Sequence, residues 1–198
     1  TELQSFYSPL KDLDPYLRFV FITGISKFSQ LSIFSQLNNL NNISMLPQYA
    51  SICGITEQEL KDNFQEGITE LGKANNMTEG EVLEKLKLKY DGYCFAEDSE
   101  GVYNPFSLLS AMQNKKLGNY WFSTGTPTFL VKMMKKFHAD LTQIDGSEAA
   151  PEEFDAPTED MQSILPLFYQ SGYLTIKAYD PVVNLYRLGY PNEEVKVG

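Results

Sequence analysis

The sequence predicts an α+β fold, largely helical, in which a remnant of a parallel α/β core is followed by packed helices and closes in a helix and a β-hairpin. Three observations predict it. Phe19-Val20-Phe21-Ile22 is an apolar run that stops at Thr23-Gly24, and a strand apolar on both faces must be covered on both sides, as in parallel sheets. Thr56-Glu57-Gln58-Glu59 and Thr78-Glu79-Gly80-Glu81 each carry the Thr-x-x-Glu signature of a capped helix start. Two alternating segments, 172–179 and 184–190, flank Asp180-Pro181 as a hairpin.

The elements follow in order. Residues 3–13 read as a short helix, ended near Asp14-Pro15 because proline disfavours a helical residue before it. The buried strand occupies about 17–23, and ligands of open α/β sheets bind just beyond such carboxyl ends. The chain begins at Thr1, so the rest of that sheet is expected upstream of this sequence. Ile43 to Leu46 reads as a further edge strand and Pro47 to Cys53 as a helical turn. The helix from Thr56 presents Leu60, Phe64, Ile68 and Leu71 at helical spacing. Tyr90 to Phe95 and Val102 to Tyr103 form a hairpin around Glu97 to Gly101. Asn104-Pro105 opens a helix, with Asn as cap and Pro where its missing N–H costs nothing. Thr126-Pro127 repeats the device, and its helix sets Phe129, Leu130, Met133, Met134 and Phe137 against Lys132, Lys135 and Lys136. Met161 to Gln170 is a helix, and with the hairpin after it resembles the tail of a winged helix.

Composition narrows the function classes. With 42% hydrophobic residues, thirteen Phe and twelve Tyr the chain can bury a substantial core. It has no apolar stretch of the roughly 20 residues that a membrane span needs, which predicts a soluble protein without membrane association, and its cysteine usage predicts a reducing, cytoplasmic setting. Cys53 and Cys94 are far apart in apolar contexts and read as reduced core thiols. The formal charge of -10 opposes a broad nucleic-acid-binding face. Seven of the 26 acids fall in residues 145–160, which carry no base and read as a solvated acidic linker.

The chemical motifs are mostly negative. Gly67-Ile68-Thr69-Glu70-Leu71-Gly72-Lys73 fits part of a phosphate-binding loop, but Ala74 replaces the hydroxyl that binds magnesium, and the segment sits inside a helical pattern. His138 is the only histidine, so catalytic triads and multi-histidine metal sites are excluded; it reads as a helix-end residue favoured by the dipole. Taken alone, the chain offers no machinery for hydrolysing ATP.

Six blocks carry a resemblance: Phe21-Ile22-Thr23-Gly24-Ile25-Ser26-Lys27-Phe28-Ser29, Phe34 to Leu40, Tyr90-Asp91-Gly92-Tyr93, Tyr103-Asn104-Pro105-Phe106-Ser107, Tyr120 to Pro127, and Tyr169 to Ile176. In that order they resemble the bacterial AAA-ATPase-like family, over about residues 5–195. The resemblance implies a relative of the AAA and STAND P-loop ATPases, frequent in Bacteroidetes, whose Walker motifs precede this region and which often continues into a nuclease-like domain of the PD-(D/E)XK type. ATP and magnesium are then cofactors of the intact protein, and the missing P-loop half is a partner.

The resemblance places Thr23 at a sensor-one position, where a hydroxyl can reach the γ-phosphate, with Ser26 and Lys27 as further nucleotide-sensing candidates. Thr124-Gly125-Thr126-Pro127 resembles the Gly-x-Pro motif of STAND lids, in which a helix start approaches the nucleotide; by itself the same segment is a helix cap. Tyr90-Asp91-Gly92-Tyr93 and Tyr103-Asn104-Pro105 read as structural. The expected organisation is a core remnant in residues 1–55, a helical lid with a small hairpin in 56–144, the acidic linker in 145–160, and a winged-helix-like end in 161–198. The rival reading is a non-catalytic winged-helix module that uses Lys177 and Arg187 to hold a protein partner or DNA.

Overall fold

The computed structural model describes residues 7, 9–24, 40–124, 128–154 and 163–197. It is α+β, with helices and a small antiparallel three-stranded sheet.

The N-terminal part departs from expectation. Helix α1 (Pro9–Asp12) and a 3-10 turn over Asp14–Tyr16 lead into residues 17–24, which form no strand. Phe19 is 79% exposed, and Phe21, Ile22 and Leu17 are also exposed. Phe19 and Phe21 stack with ring centroids 6.4 Å apart, on one side of the extended chain. The physical reason is pairing. A strand exists only through its neighbours, and no described segment runs beside this one. Ile43 to Leu46 likewise forms a turn rather than a strand, whereas Pro47–Tyr49 is the expected helical turn.

Four helices form the first packed unit: α2 (Glu57–Asn63), α3 (Gln65–Asn75), α4 (Glu79–Tyr90) and α5 (Pro105–Asn114). Both capping boxes close as predicted, Thr56 with Glu59 and Thr78 with Glu81. The single helix expected from Thr56 breaks at Phe64 into α2 and α3. Leu60, Ile68, Leu71, Val82, Leu86 and Leu108 meet in one buried cluster, each contributing about 1.5–3 kcal/mol. Asn104 caps α5 by accepting from the Phe106 and Ser107 amides at 2.9 and 3.2 Å. The expected hairpin at 90–103 is reduced to single bridges, Tyr93 to Val102 and Ile55 to Tyr103.

The second unit runs α6 (Thr128–Lys136), β1 (Glu148–Ala149), α7 (Pro151–Phe154), α8 (Leu165–Gln170), β2 (Thr175–Asp180) and β3 (Leu185–Gly189), with sheet order β1-β3-β2. Residues 145–154 are therefore not a free linker. Glu148 and Ala149 pair with Arg187 and Tyr186, and Phe154 is fully buried. Its ring meets those of Tyr169 and Tyr186 edge-on, with centroids 4.7 and 5.4 Å away. The acids hide two core residues, Ala149 and Phe154, while Glu148 and Glu152 face solvent. Residues 155–160 lie outside the described residues.

Between β2 and β3 the register shifts after Ile176, a bulge at Lys177. Bulges re-aim side chains, and Lys177 reaches the Pro191 carbonyl at 3.3 Å. Burial pushes its pKa below the usual lysine value. The last helix, α9 (Glu193–Lys196), packs against α4. Val195 joins Tyr93 and Val102 in a third cluster, completed by Phe95, Trp121, Tyr173 and Tyr190.

Candidate functional site

The sequence singled out two places, the end of the 17–23 run and the Thr124–Pro127 segment. Thr23 lies at the end of an exposed extended segment and is itself exposed. Ser26 and Lys27 lie outside the described residues, as do Gly125, Thr126 and Pro127. The backbone of Thr124 closes a 3-10 turn, Trp121–Thr124, and α6 resumes at Thr128. Lys132, Lys135 and Lys136 occupy the exposed side of α6, and Leu130 and Met133 are buried. His138 ends this stretch in a left-handed conformation, φ 48°.

Gly67 to Lys73 lies wholly within α3, and from Ile68, whose amide donates to the Phe64 carbonyl, onward its backbone amides are spent on the helix, so the segment forms no phosphate-cradling loop. Gly72 packs so tightly that a Cβ there would come within 2.8 Å of the Met77 carbonyl oxygen. Among the described residues no three His, Cys, Asp or Glu side chains are grouped to hold a metal ion. Both cysteines are free; Cys94 is half-buried, but Cys53 is exposed rather than a core thiol.

The turn before Thr124 is held by residues the sequence did not single out. Glu194 of α9 is fully buried. Its Oε1 accepts from the backbone amides of Tyr120 and Trp121 at 2.5 and 3.1 Å, while Oε2 is buried without a hydrogen-bond partner among the described residues. The Trp121 ring lies 4.7 Å from that of Tyr173 and 5.1 Å from that of Phe122.

The same C-terminal segment also contacts the Tyr90-Asp91-Gly92-Tyr93 stretch. The Tyr90 hydroxyl donates to the Gly118 carbonyl at 2.8 Å, and burial pushes its pKa up. Asn192 Nδ2 donates to the Asp91 carbonyl at 3.0 Å, and Asn192 Oδ1 accepts from the Val195 amide. Burial raises the Asp91 carboxyl, which accepts from the Gly92 amide at 2.6 Å. Gly92 has φ +98°, and a Cβ there would stand 2.3 Å from the Pro191 carbonyl oxygen. Burial pushes the Tyr93 phenol up to about 12; Asn104 and Asn192 lie beside its hydroxyl, but neither closes a well-formed hydrogen bond. The sequence marked Gly92 only as part of the Tyr90-Asp91-Gly92-Tyr93 block, read as structural. One glutamate among many near the end of an acidic chain carried no such mark.

Residues 1–34, which contain the exposed apolar run and Thr23, match a family model. The family is AAA-ATPase-like, described as predicted AAA-ATPase. Over 199 aligned residues the chain is 36% identical to an uncharacterised protein in the vnfD 5′ region of Azotobacter chroococcum mcd 1. The alignment covers 98% of this chain and 36% of that protein, so the chain spans little more than a third of the relative's length. No solved structure matches the chain.

Proposed function

We propose that this chain is the sensor and lid portion of an AAA-like ATPase, with nucleotide bound and hydrolysed in the longer protein. The observation that carries the reading is the match of residues 1–34 to the AAA-ATPase-like family, since this is where an apolar strand-like run ends in an exposed hydroxyl. Exposed Phe19, Phe21 and Ile22 fit a strand awaiting its sheet. In this reading Walker residues outside the chain hold ATP and magnesium, which supply the phosphoryl chemistry. Thr23 donates to the γ-phosphate or to the attacking water, and Ser26 and Lys27 lie next to that position. Thr124, Gly125, Thr126 and Pro127 bring the start of the lid helix towards the phosphates.

The second unit supports a lid of winged-helix type. Its order, helix, strand, two helices, two strands with sheet order 1-3-2, is compatible with a winged-helix-like end that draws in α6 and β1 ahead of residues 161–198. The same topology keeps a second reading open, a non-catalytic interaction module. Within that reading one observation favours a protein over DNA as the partner. Helix α8, in the recognition position, reads Leu-Pro-Leu-Phe-Tyr-Gln, with no base and no exposed residue, and the wing tip exposes Val182 (91%) and Val183. Phosphate contacts need Lys or Arg at the surface, so this reading favours a protein partner. A nuclease-like domain after the lid is part of the proposal for the longer protein.

The test is ATP turnover by the longer protein with Thr23→Ala. The proposal expects turnover to fall at least about tenfold, as when one transition-state hydrogen-bond donor is lost, with the protein still folded. Unchanged turnover would refute the sensor role. A longer protein that binds no ATP, yet captures a partner through residues 180–184, would favour the interaction module.

A further inference from the structure

We propose that Glu194 is a positioning residue that latches the Trp121–Thr124 turn to α9, so that the turn, and α6 after it, move only when α9 moves. A carboxylate is costly to bury unless donors surround it. The donors here are two successive backbone amides, those of Tyr120 and Trp121, meeting one oxygen at 2.5 and 3.1 Å. They lie in the stretch joining the four-helix unit to α6, and a side chain 74 and 73 positions away supplies their acceptor. The second oxygen is buried with no hydrogen-bond partner among the described residues. The two amides on Oε1 therefore carry the latch, and in a low-dielectric interior their bonds to the carboxylate are stronger than they would be in water.

Helix α9 is itself fixed on the far side. Asn192 holds the Asp91 carbonyl, Val195 is buried in the third cluster, and the Pro191 carbonyl fills the space beside Gly92. One short helix therefore joins the Tyr90–Tyr93 turn to the lid-entry turn, and chain continuing beyond Val197 would be pulled through the same helix. Transmission of a nucleotide signal through α9 to a further domain rests on the proposed ATPase function; the latch does not.

Trp121 is the only tryptophan, so its fluorescence reports on this turn directly. Glu194→Ala is expected to red-shift Trp121 emission and to speed exchange of the Tyr120 and Trp121 amides at least about tenfold, with the Leu86 and Leu108 amides unchanged. Glu194→Gln keeps an acceptor oxygen and should retain both wild-type signals. A folded Glu194→Ala protein with unchanged emission and exchange overturns the latch, as does acceleration shared equally by Leu86 and Leu108. Should Glu194→Ala not fold, exchange in the wild-type protein decides: Tyr120 and Trp121 must open together with Val195 and Lys196, and separate opening overturns the latch. In the longer protein ATP should alter exchange at Tyr120 and Trp121 in wild type and not in Glu194→Ala. A longer protein that binds no ATP would defeat the proposed function and leave the latch to the exchange data.

Discussion

Two glycines in this chain should respond to the same substitution with opposite sign. At Gly92 the backbone has φ +98°, and a new methyl would stand 2.3 Å from the Pro191 carbonyl oxygen. The left-handed backbone alone costs an L-residue about 1–2 kcal/mol. Relieving the contact means moving Pro191, which next to Asn192 endangers the 3.0 Å hydrogen bond to the Asp91 carbonyl, worth about 1 kcal/mol. Gly92→Ala should therefore lose about 3 kcal/mol, which in a chain of this size lowers Tm by roughly 6–12 °C. Gly80 lies in the first turn of α4 with nothing within 4 Å of a new Cβ. There alanine should stabilise by about 0.5–1 kcal/mol, because glycine loses more backbone freedom on entering a helix. Urea titrations of both variants against wild type, with m-values checked for constancy, measure the pair. A Gly92→Ala loss below about 1 kcal/mol would refute the reasoning, because the Pro191 contact would then be too compliant to hold α9 on this turn.

Phe154→Ala should destabilise by about 3–5 kcal/mol, as for other fully buried aromatics, whereas Glu152→Gln, two residues earlier on the exposed side, should shift urea stability by less than about 0.5 kcal/mol; equal effects would return this stretch to a linker. Lys61 and Lys87 hold the Glu57 carboxyl down from 4.5 to about 2. With its folded value depressed, Glu57 stabilises the protein above pH 4.5 and loses that contribution as pH falls through about 2. Both lysines are about half exposed, so Glu57→Gln should cost no more than about 1 kcal/mol at neutral pH, a gap that closes towards pH 2 and shrinks in salt; a gap that widened in acid would refute the pairing.

Much of the helical unit was legible in the sequence because its signals are local. The boxes at Thr56 and Thr78, the Asn104 cap and the spacing of Leu60, Ile68 and Leu71 need only neighbours along the chain, and each appears where expected. The hairpin of β2 and β3 was equally plain, because alternation and Asp180-Pro181 fix it within fifteen residues. The run at 17–23 was legible as apolar but not as a strand, since strand formation depends on a partner that composition cannot supply. Nor could charge counting show that Ala149 and Phe154 are core, because two buried side chains barely alter the average of an acidic stretch.

The sequence by itself determined the capped helix starts at Thr56, Thr78 and Asn104, the apolar faces of those helices, and that a hydroxyl-bearing tip follows an apolar run. Tertiary structure alone decided which distant groups share a site. Glu194 becomes a latch only because folding removes its carboxylate from water and offers two amides more than seventy residues earlier in the chain. Gly92 becomes obligatory only because the Pro191 carbonyl arrives beside it. Local patterns carry the free energy of single elements. The cost of burying a charge and the space around a Cβ depend on everything that packs there.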